Sequence, residues 1–217
     1  MTSVNDIPTL SAISDPAAIL EDASAQTVSL SGIGTGASNE SQTLTVTATS
    51  SNTALIPNPT VTYTSASTTG TLTYTPVANA NGTATITVTV TDDGGTSNSG
   101  VNTVSQTFTV TVTAVNDIPT LSAISDPTAI LEDASAQTVN LSGIGTGVSN
   151  ESQTLTVTAT SSNTSIVPNP TVTYTSANTT GTLTYTPVAN ANGTATITVT
   201  VTDDGGTTNS GVNTVSR

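Results

Sequence analysis

The sequence predicts an all-β protein made of two tandem seven-stranded sandwiches, and three observations carry that reading. Apolar residues alternate with threonine through much of the chain, as in QTLTVTAT (42–49) and GTATITVTVT (82–91). A period of two is what a strand needs when one face meets a core and the other meets water. Turn formers such as PNP, DDGG and NANG break the alternation at short intervals, so each strand is short. The whole pattern then returns: VNDIPTLSAISDP starts at Val4 and is spelled out again from Val115.

Taken in order, the first strand is expected over 9–20, with a kink at Ser14-Asp15-Pro16 where the chain changes sheets, because Pro16 has no amide hydrogen to give a ladder. The second, over 26–31, turns Val28 and Leu30 inward. Leu44, Val46 and Ala48 do the same in 42–49, Val61 and Tyr63 in 60–64, and Leu72 and Tyr74 in 70–75. Ala84, Ile86, Val88 and Val90 line 83–91, and Phe108, Val110 and Val112 line 106–113. Seven short strands with turns between them and no helical stripe read as an immunoglobulin-like β-sandwich.

Residues 5–106 and 116–217 differ at nine positions, among them Ala17/Thr128, Ser29/Asn140, Leu55/Ile166 and Gln106/Arg217. The step from Val4 to Val115 is the length of an autonomous domain and not of a solenoid repeat, which places the units at 1–114 and 115–217. Arg217 matches Gln106, so the second unit is expected to have its final strand truncated. Three explanations stand: a piece of a longer array, a shifted unit frame, or a strand donated by a neighbour to build a filament.

Composition narrows the function. Fourteen acids face one base, Arg217, for a net charge of −13, which disfavours nucleic acid and anionic lipid as partners. There is no His, Cys or Lys, so the usual general bases and most activated nucleophiles are missing, and the chain is read as non-enzymatic. Disulfides are excluded, and no run approaches the ~20 apolar residues of a membrane span. The start, MTSVNDIPTL, has neither the basic opening nor the apolar run of a signal peptide.

The acids occupy turns and the linker. Asp6, Asp15, Glu21, Asp22, Glu40, Asp92 and Asp93 in the first repeat match Asp117, Asp126, Glu132, Asp133, Glu151, Asp203 and Asp204 in the second. The reversal of the chain at every strand sorts them by end. Glu21 and Asp22, with Asn79 and Asn81, fall at the far end of unit one. Glu151, Asp203 and Asp204 fall at the near end of unit two, with Asn116 and Asp117 on the linker. The equivalent set at the start of unit one is Asn5, Asp6, Glu40, Asp92 and Asp93. Carboxylates gathered without a base repel unless a cation intervenes, and calcium, which takes six to eight oxygens, fits better than zinc or magnesium. Gly94, Gly95, Gly205 and Gly206 would let the backbone turn toward such an ion.

The AVNDIPT linker, ILED, TYTPVANANGTATITVTVTDDGG and TFTVTVTAVND resemble the cadherin-like or immunoglobulin-like tandem repeats of large bacterial surface adhesins. The resemblance spans nearly the whole chain. It implies extracellular, cell-surface stalk modules, rigidified by calcium at the inter-domain junction, whose partners are neighbouring repeats or identical subunits. Here the match departs from true cadherins in carrying Asn79, Asn81 and Asn116 where carboxylates are expected, which implies fewer or weaker ions.

Plainer roles compete at several positions. DDGG by itself is an ordinary turn. Asp22 could end a strand in solvent, Asp15 and Asp126 precede prolines as turn residues do, and Glu40 and Glu151 are open to solvated or ligating roles. No Glu follows at the twelfth position after Asp92, which excludes an EF-hand. Two further functions remain: a self-assembling filament subunit, and an ice- or carbohydrate-binding module using outward rows such as Thr43, Thr45 and Thr47. Against the latter, threonine is a good strand former on any exposed sheet.

Overall fold

A computed structural model describes residues 4–217; Met1–Ser3 lie outside the described residues. The chain divides into two compact units, Met1–Ala114 and Val115–Arg217. Unit 1 contains β1 (Ile19–Leu20), β2 (Gln26–Ser31), β3 (Leu44–Ser50), β4 (Thr60–Thr62), β5 (Thr69–Tyr74), β6 (Gly82–Asp92) and β7 (Thr103–Thr113). They form two sheets, ordered β1-β7-β6-β3 and β2-β5-β4. All pairs are antiparallel except β1 with β7.

The alternation in sequence becomes the alternation in burial. Leu30 and Leu72 from one sheet meet Val46, Ile86, Val88, Val90, Phe108 and Val110 from the other in a single core. The intervening threonines form ranks across the outer face, Thr45–Thr91–Thr103 and Thr49–Thr87–Thr107 among them. Thr89 and Ser105 share a hydroxyl hydrogen bond of 2.8 Å within the same array.

The expectation of one strand over 9–20 needs correction. Thr9 makes only an isolated antiparallel bridge to Gly34, and Ser11 donates to the Ser31 carbonyl at 3.0 Å, both beside β2. Ile19 and Leu20 instead run parallel to β7 in the other sheet. The segment between carries Pro16 and passes from one sheet edge to the other, so most of it has no ladder to join. Asp15 is not a simple turn residue either: its Oδ1 accepts the Thr109 N–H at 2.6 Å, tying the crossing segment to β7.

Unit 2 contains β8 (Gln137–Ser142), β9 (Leu155–Ser161), β10 (Thr171–Thr173), β11 (Thr180–Tyr185), β12 (Ile197–Asp203) and β13 (Thr214–Ser216), in sheets ordered β10-β11-β8 and β13-β12-β9. The short β13 pairs with β12 only at Thr200–Thr202. Without a longer partner, residues 193–196 are not in a strand, whereas their counterparts in β6 pair with β7 as far as Gly82–Val112. Among the described residues the counterpart of β1 is absent for the same reason, and Leu131 stands 84% exposed where Leu20 is 39%. No helix among the described residues is long and apolar enough to cross a membrane.

Candidate metal centre at the strand ends

The DDGG turn resolves into four residues with four different tasks. Asp92 closes β6 opposite Leu44 and is 3% exposed, so it belongs to the strand and not to the loop as the sequence suggested. Its Oδ1 accepts the Gly94 N–H at 2.9 Å and Asn5 Nδ2 at 2.9 Å. Asp93, one residue on, is exposed, and its Oδ1 accepts the Thr43 N–H at 2.9 Å. Gly94 is there for space: a Cβ at that position would overlap Asn5 Oδ1. Gly95 is there for conformation, with φ +77° and open surroundings.

Asn5 is the centre of this arrangement. Besides Asp92, its Nδ2 donates to the Val101 carbonyl at 2.8 Å, and its Oδ1 accepts Gln42 Nε2 at 2.8 Å. The next residue, Asp6, donates its N–H to Glu40 Oε1 at 2.9 Å. One Asn-Asp dipeptide thus holds the loop before β3 and the loop after β6 together at the end where the chain enters the unit. Unit 2 repeats the pattern. Asn116 Nδ2 donates to Asp203 Oδ1 (3.0 Å) and the Val212 carbonyl (2.8 Å), and Gln153 Nε2 donates to Asn116 Oδ1 (2.9 Å). The Asp117 N–H reaches Glu151 Oε1 at 3.0 Å, and Asp204 Oδ1 accepts the Thr154 N–H at 2.8 Å.

Of the residues singled out in the sequence, the structure therefore ties Asn5, Asp6, Glu40, Asp92 and Asp93 to unit 1, and Asn116, Asp117, Glu151, Asp203 and Asp204 to unit 2. Asn116 and Asp117 are a structural part of the second sandwich. Asn5 and Asn116, both included in the expected ligand set, donate Nδ2 to a buried carboxylate. Gln42 and Gln153 were missed. The available signal was their position, two residues after the Glu and immediately before the alternating run of a strand.

Each of these clusters leaves oxygens over. Asp92 Oδ2, Glu40 Oε2 and Gln42 Oε1 are buried and have no hydrogen-bond partner among the described residues, and the same is true of Asp203 Oδ2, Glu151 Oε2 and Gln153 Oε1. A buried carboxylate oxygen without a partner costs on the order of 1–3 kcal/mol or more, and calls for water or an ion. Two carboxylates and an amide oxygen are hard donors of the kind calcium accepts. The fit is to a lightly charged site, since among the described residues no three Asp or Glu side chains form a metal-holding group.

At the opposite end of unit 1, Asp22 and Asn79 meet. Both have left-handed backbone, with φ 64° and 56°, and Asp22 Oδ1 accepts the Asn79 N–H at 2.9 Å. Asp133 and Asn190 repeat the contact at 2.9 Å. Asn79 is engaged here through its backbone. Glu21 is 4% exposed and donates its N–H to the Thr113 carbonyl at 2.9 Å, while its counterpart Glu132, which faces no such strand, is exposed. Asn81 is exposed.

Residues 116–216 match the family model described as Bacterial Ig domain. Unit 2 is similar to that family along nearly its whole length. Unit 1, which differs from it at nine aligned positions, is a second copy of the same sequence. No curated protein matches the chain. Among solved structures it is similar to domains 4 and 5 of the surface-layer protein SbsC, with 22% identity over 79% of this chain and 73% of that one and a TM-score of 0.29. It is also similar to an endo-fucoidan hydrolase of glycoside hydrolase family 107 (22% identity, 97% of this chain, 28% of that one, TM-score 0.38). The D00-D0 domain of intimin gives 18% identity over 94% of this chain and 98% of that one, with a TM-score of 0.28. The resemblance to bacterial Ig domains rests on the sequence match.

Proposed function

We propose that this chain is a pair of structural spacer modules from an extracellular bacterial surface protein, without catalytic activity, in which calcium at the Asn–Asp clasp of each unit fixes the segment by which the chain enters the sandwich. The observation that carries the reading is the pair of matching clusters in which Asp92 and Asp203, each almost fully buried, keep one oxygen unpartnered beside Glu40/Gln42 and Glu151/Gln153. Calcium would draw on those oxygens. Asn5 and Asn116 hold the carboxylates in place, and Asp6 and Asp117 hold the glutamates through their backbone N–H. The bacterial Ig domain match and the absence of His, Cys and Lys support a non-enzymatic role. The light charge of the site puts its dissociation constant at about 10⁻⁴–10⁻³ M, the range of extracellular modules.

Calorimetric titration of the whole chain with calcium tests this. Two equivalents per chain are expected, one of which disappears in Asp92→Asn and the other in Asp203→Asn. Hydrogen exchange at the Asp117 amide should slow when calcium is added. No heat, no exchange protection and no melting shift at about 10 mM calcium, tenfold above the weakest expected dissociation constant, would refute the calcium reading.

A further inference from the structure

A side-chain amide can turn either end toward a neighbour, and in the clasp the partners decide which. The ionised Asp92 carboxylate and the Val101 carbonyl can only accept, and Asn5 Nδ2 donates to both, at 2.9 and 2.8 Å. Asn5 therefore presents its Oδ1 to Gln42, whose Nε2 donates to it at 2.8 Å. That fixes Gln42 in turn. Its Oε1 is the end left over, buried and without a hydrogen-bond partner among the described residues, as are Asp92 Oδ2 and Glu40 Oε2. Gly94 closes the junction, since a Cβ there would overlap Asn5 Oδ1 and come within 3.0 Å of Gln42 Nε2. Unit 2 repeats every link: Asn116 Nδ2 donates to Asp203 Oδ1 and the Val212 carbonyl, Gln153 Nε2 donates to Asn116 Oδ1, and Gln153 Oε1 is left over. The position asks for both ends of an amide. Glutamate has the oxygen but no hydrogen for Asn5, and leucine has neither.

We infer that Gln42 and Gln153 set the charge of the clasp and, with it, the ion that the clasp prefers. The relay runs from Asp92 through Asn5 to Gln42, and it delivers a neutral oxygen where an acid would deliver another negative charge. The unpartnered oxygens of Asp92, Glu40 and Gln42 then belong to two carboxylates and one amide, which a single divalent cation balances. Among the described residues no three acids form a metal-holding group, so nothing upsets that balance. A glutamate at position 42 would leave the ion-free clasp with a further buried charge, which is costly, and would favour a trivalent ion by Coulomb attraction. The inference rests on the calcium reading of the clasp and adds to it the residue that decides which ionic charge is accepted.

The test uses the full chain carrying Asp203→Asn, so that the clasp of unit 1 is read alone, with calcium and lanthanum titrations by calorimetry and urea unfolding in chelator. Gln42→Leu should bind calcium roughly tenfold or more weakly, the usual effect of losing a group that orients metal ligands. Gln42→Glu should have a lower urea midpoint in chelator, yet bind calcium about tenfold more tightly, because ligand charge sets affinity. Its preference for lanthanum over calcium should rise about tenfold further. A glutamine with a merely structural role would weaken fold and binding together in both variants. The inference is overturned if Gln42→Glu binds calcium less tightly, if its lanthanum preference is unchanged, or if Gln42→Leu binds calcium as the parent does. Should Gln42→Glu be unfolded in chelator, refolding in calcium supports the inference, and failure to refold at about 10 mM calcium overturns it. Absence of calcium binding in the parent chain is a separate outcome, which refutes the calcium reading and this inference with it.

Discussion

Replacing Asn5 separates a hydrogen-bonding keystone from a direct metal ligand. Asn5→Ala removes a bond to the Asp92 carboxylate, a bond to the Val101 carbonyl and the acceptor for Gln42, at 2.9, 2.8 and 2.8 Å. A bond to a charged group is worth about 1.5–3 kcal/mol and a neutral one about 1 kcal/mol, so the loss should reach about 3–4 kcal/mol, somewhat less than the plain sum because the three bonds share one network. In a domain of this size that lowers the melting temperature of unit 1 by about 12–16 °C. Asn5→Asp keeps the shape but turns a donor into a charged acceptor facing Asp92 Oδ1. In chelator it should be less stable than Asn5→Ala, since like charges at hydrogen-bond distance replace an attraction. Urea unfolding followed by far-ultraviolet circular dichroism, with calcium and with chelator, reads both variants. If Asn5→Asp in chelator is as stable as the unsubstituted chain and binds calcium more tightly, the keystone argument is wrong and Asn5 is a ligand.

Three further outcomes follow from the same geometry. Gly94→Ala should destabilise unit 1 more than Gly95→Ala, because the first methyl group meets Asn5 Oδ1 while the second only strains a positive φ at about 1 kcal/mol; Gly95→Asn, which tolerates that φ, should be nearly neutral, and denaturant midpoints rank the three. Phe108→Ala should cost about 3–5 kcal/mol by leaving a cavity in the core, and should lower the urea unfolding midpoint of unit 1. Burial pushes the phenols of Tyr63, Tyr74 and Tyr174 above the ordinary tyrosine value, so the folded chain keeps protons that the unfolded chain releases. Stability should therefore hold below about pH 10 and fall as pH rises beyond it, an effect reduced in Tyr74→Phe and measurable as a pH-dependent urea midpoint.

Most of the strand plan was legible because it is written locally. A period of two puts every second side chain on one face, so Val88 and Phe108 could be assigned inward from their neighbours alone. The first strand was misread for an equally physical reason. Thr9–Leu20 has the composition of a strand, but strands exist only where an adjacent edge supplies partners, and the edges available to Thr9 and to Ile19 belong to different sheets. The same rule explains unit 2, where residues 193–196 carry the sequence of β6 yet form no strand without an opposing ladder.

The sequence by itself determined the repeat, the alternating strands and the chemical poverty that leaves oxygen ligation as the main chemistry open to these side chains. Only the tertiary structure decided how the polar groups are shared out: that Asn5 gives its hydrogens to the distant Asp92 carboxylate, that Gln42 joins them, and that Gly94 yields space while Gly95 yields a turn. Strand patterning is a property of neighbours along the chain. A buried carboxylate is satisfied by groups that meet only once both sheets have closed, so their identities leave no period in the sequence.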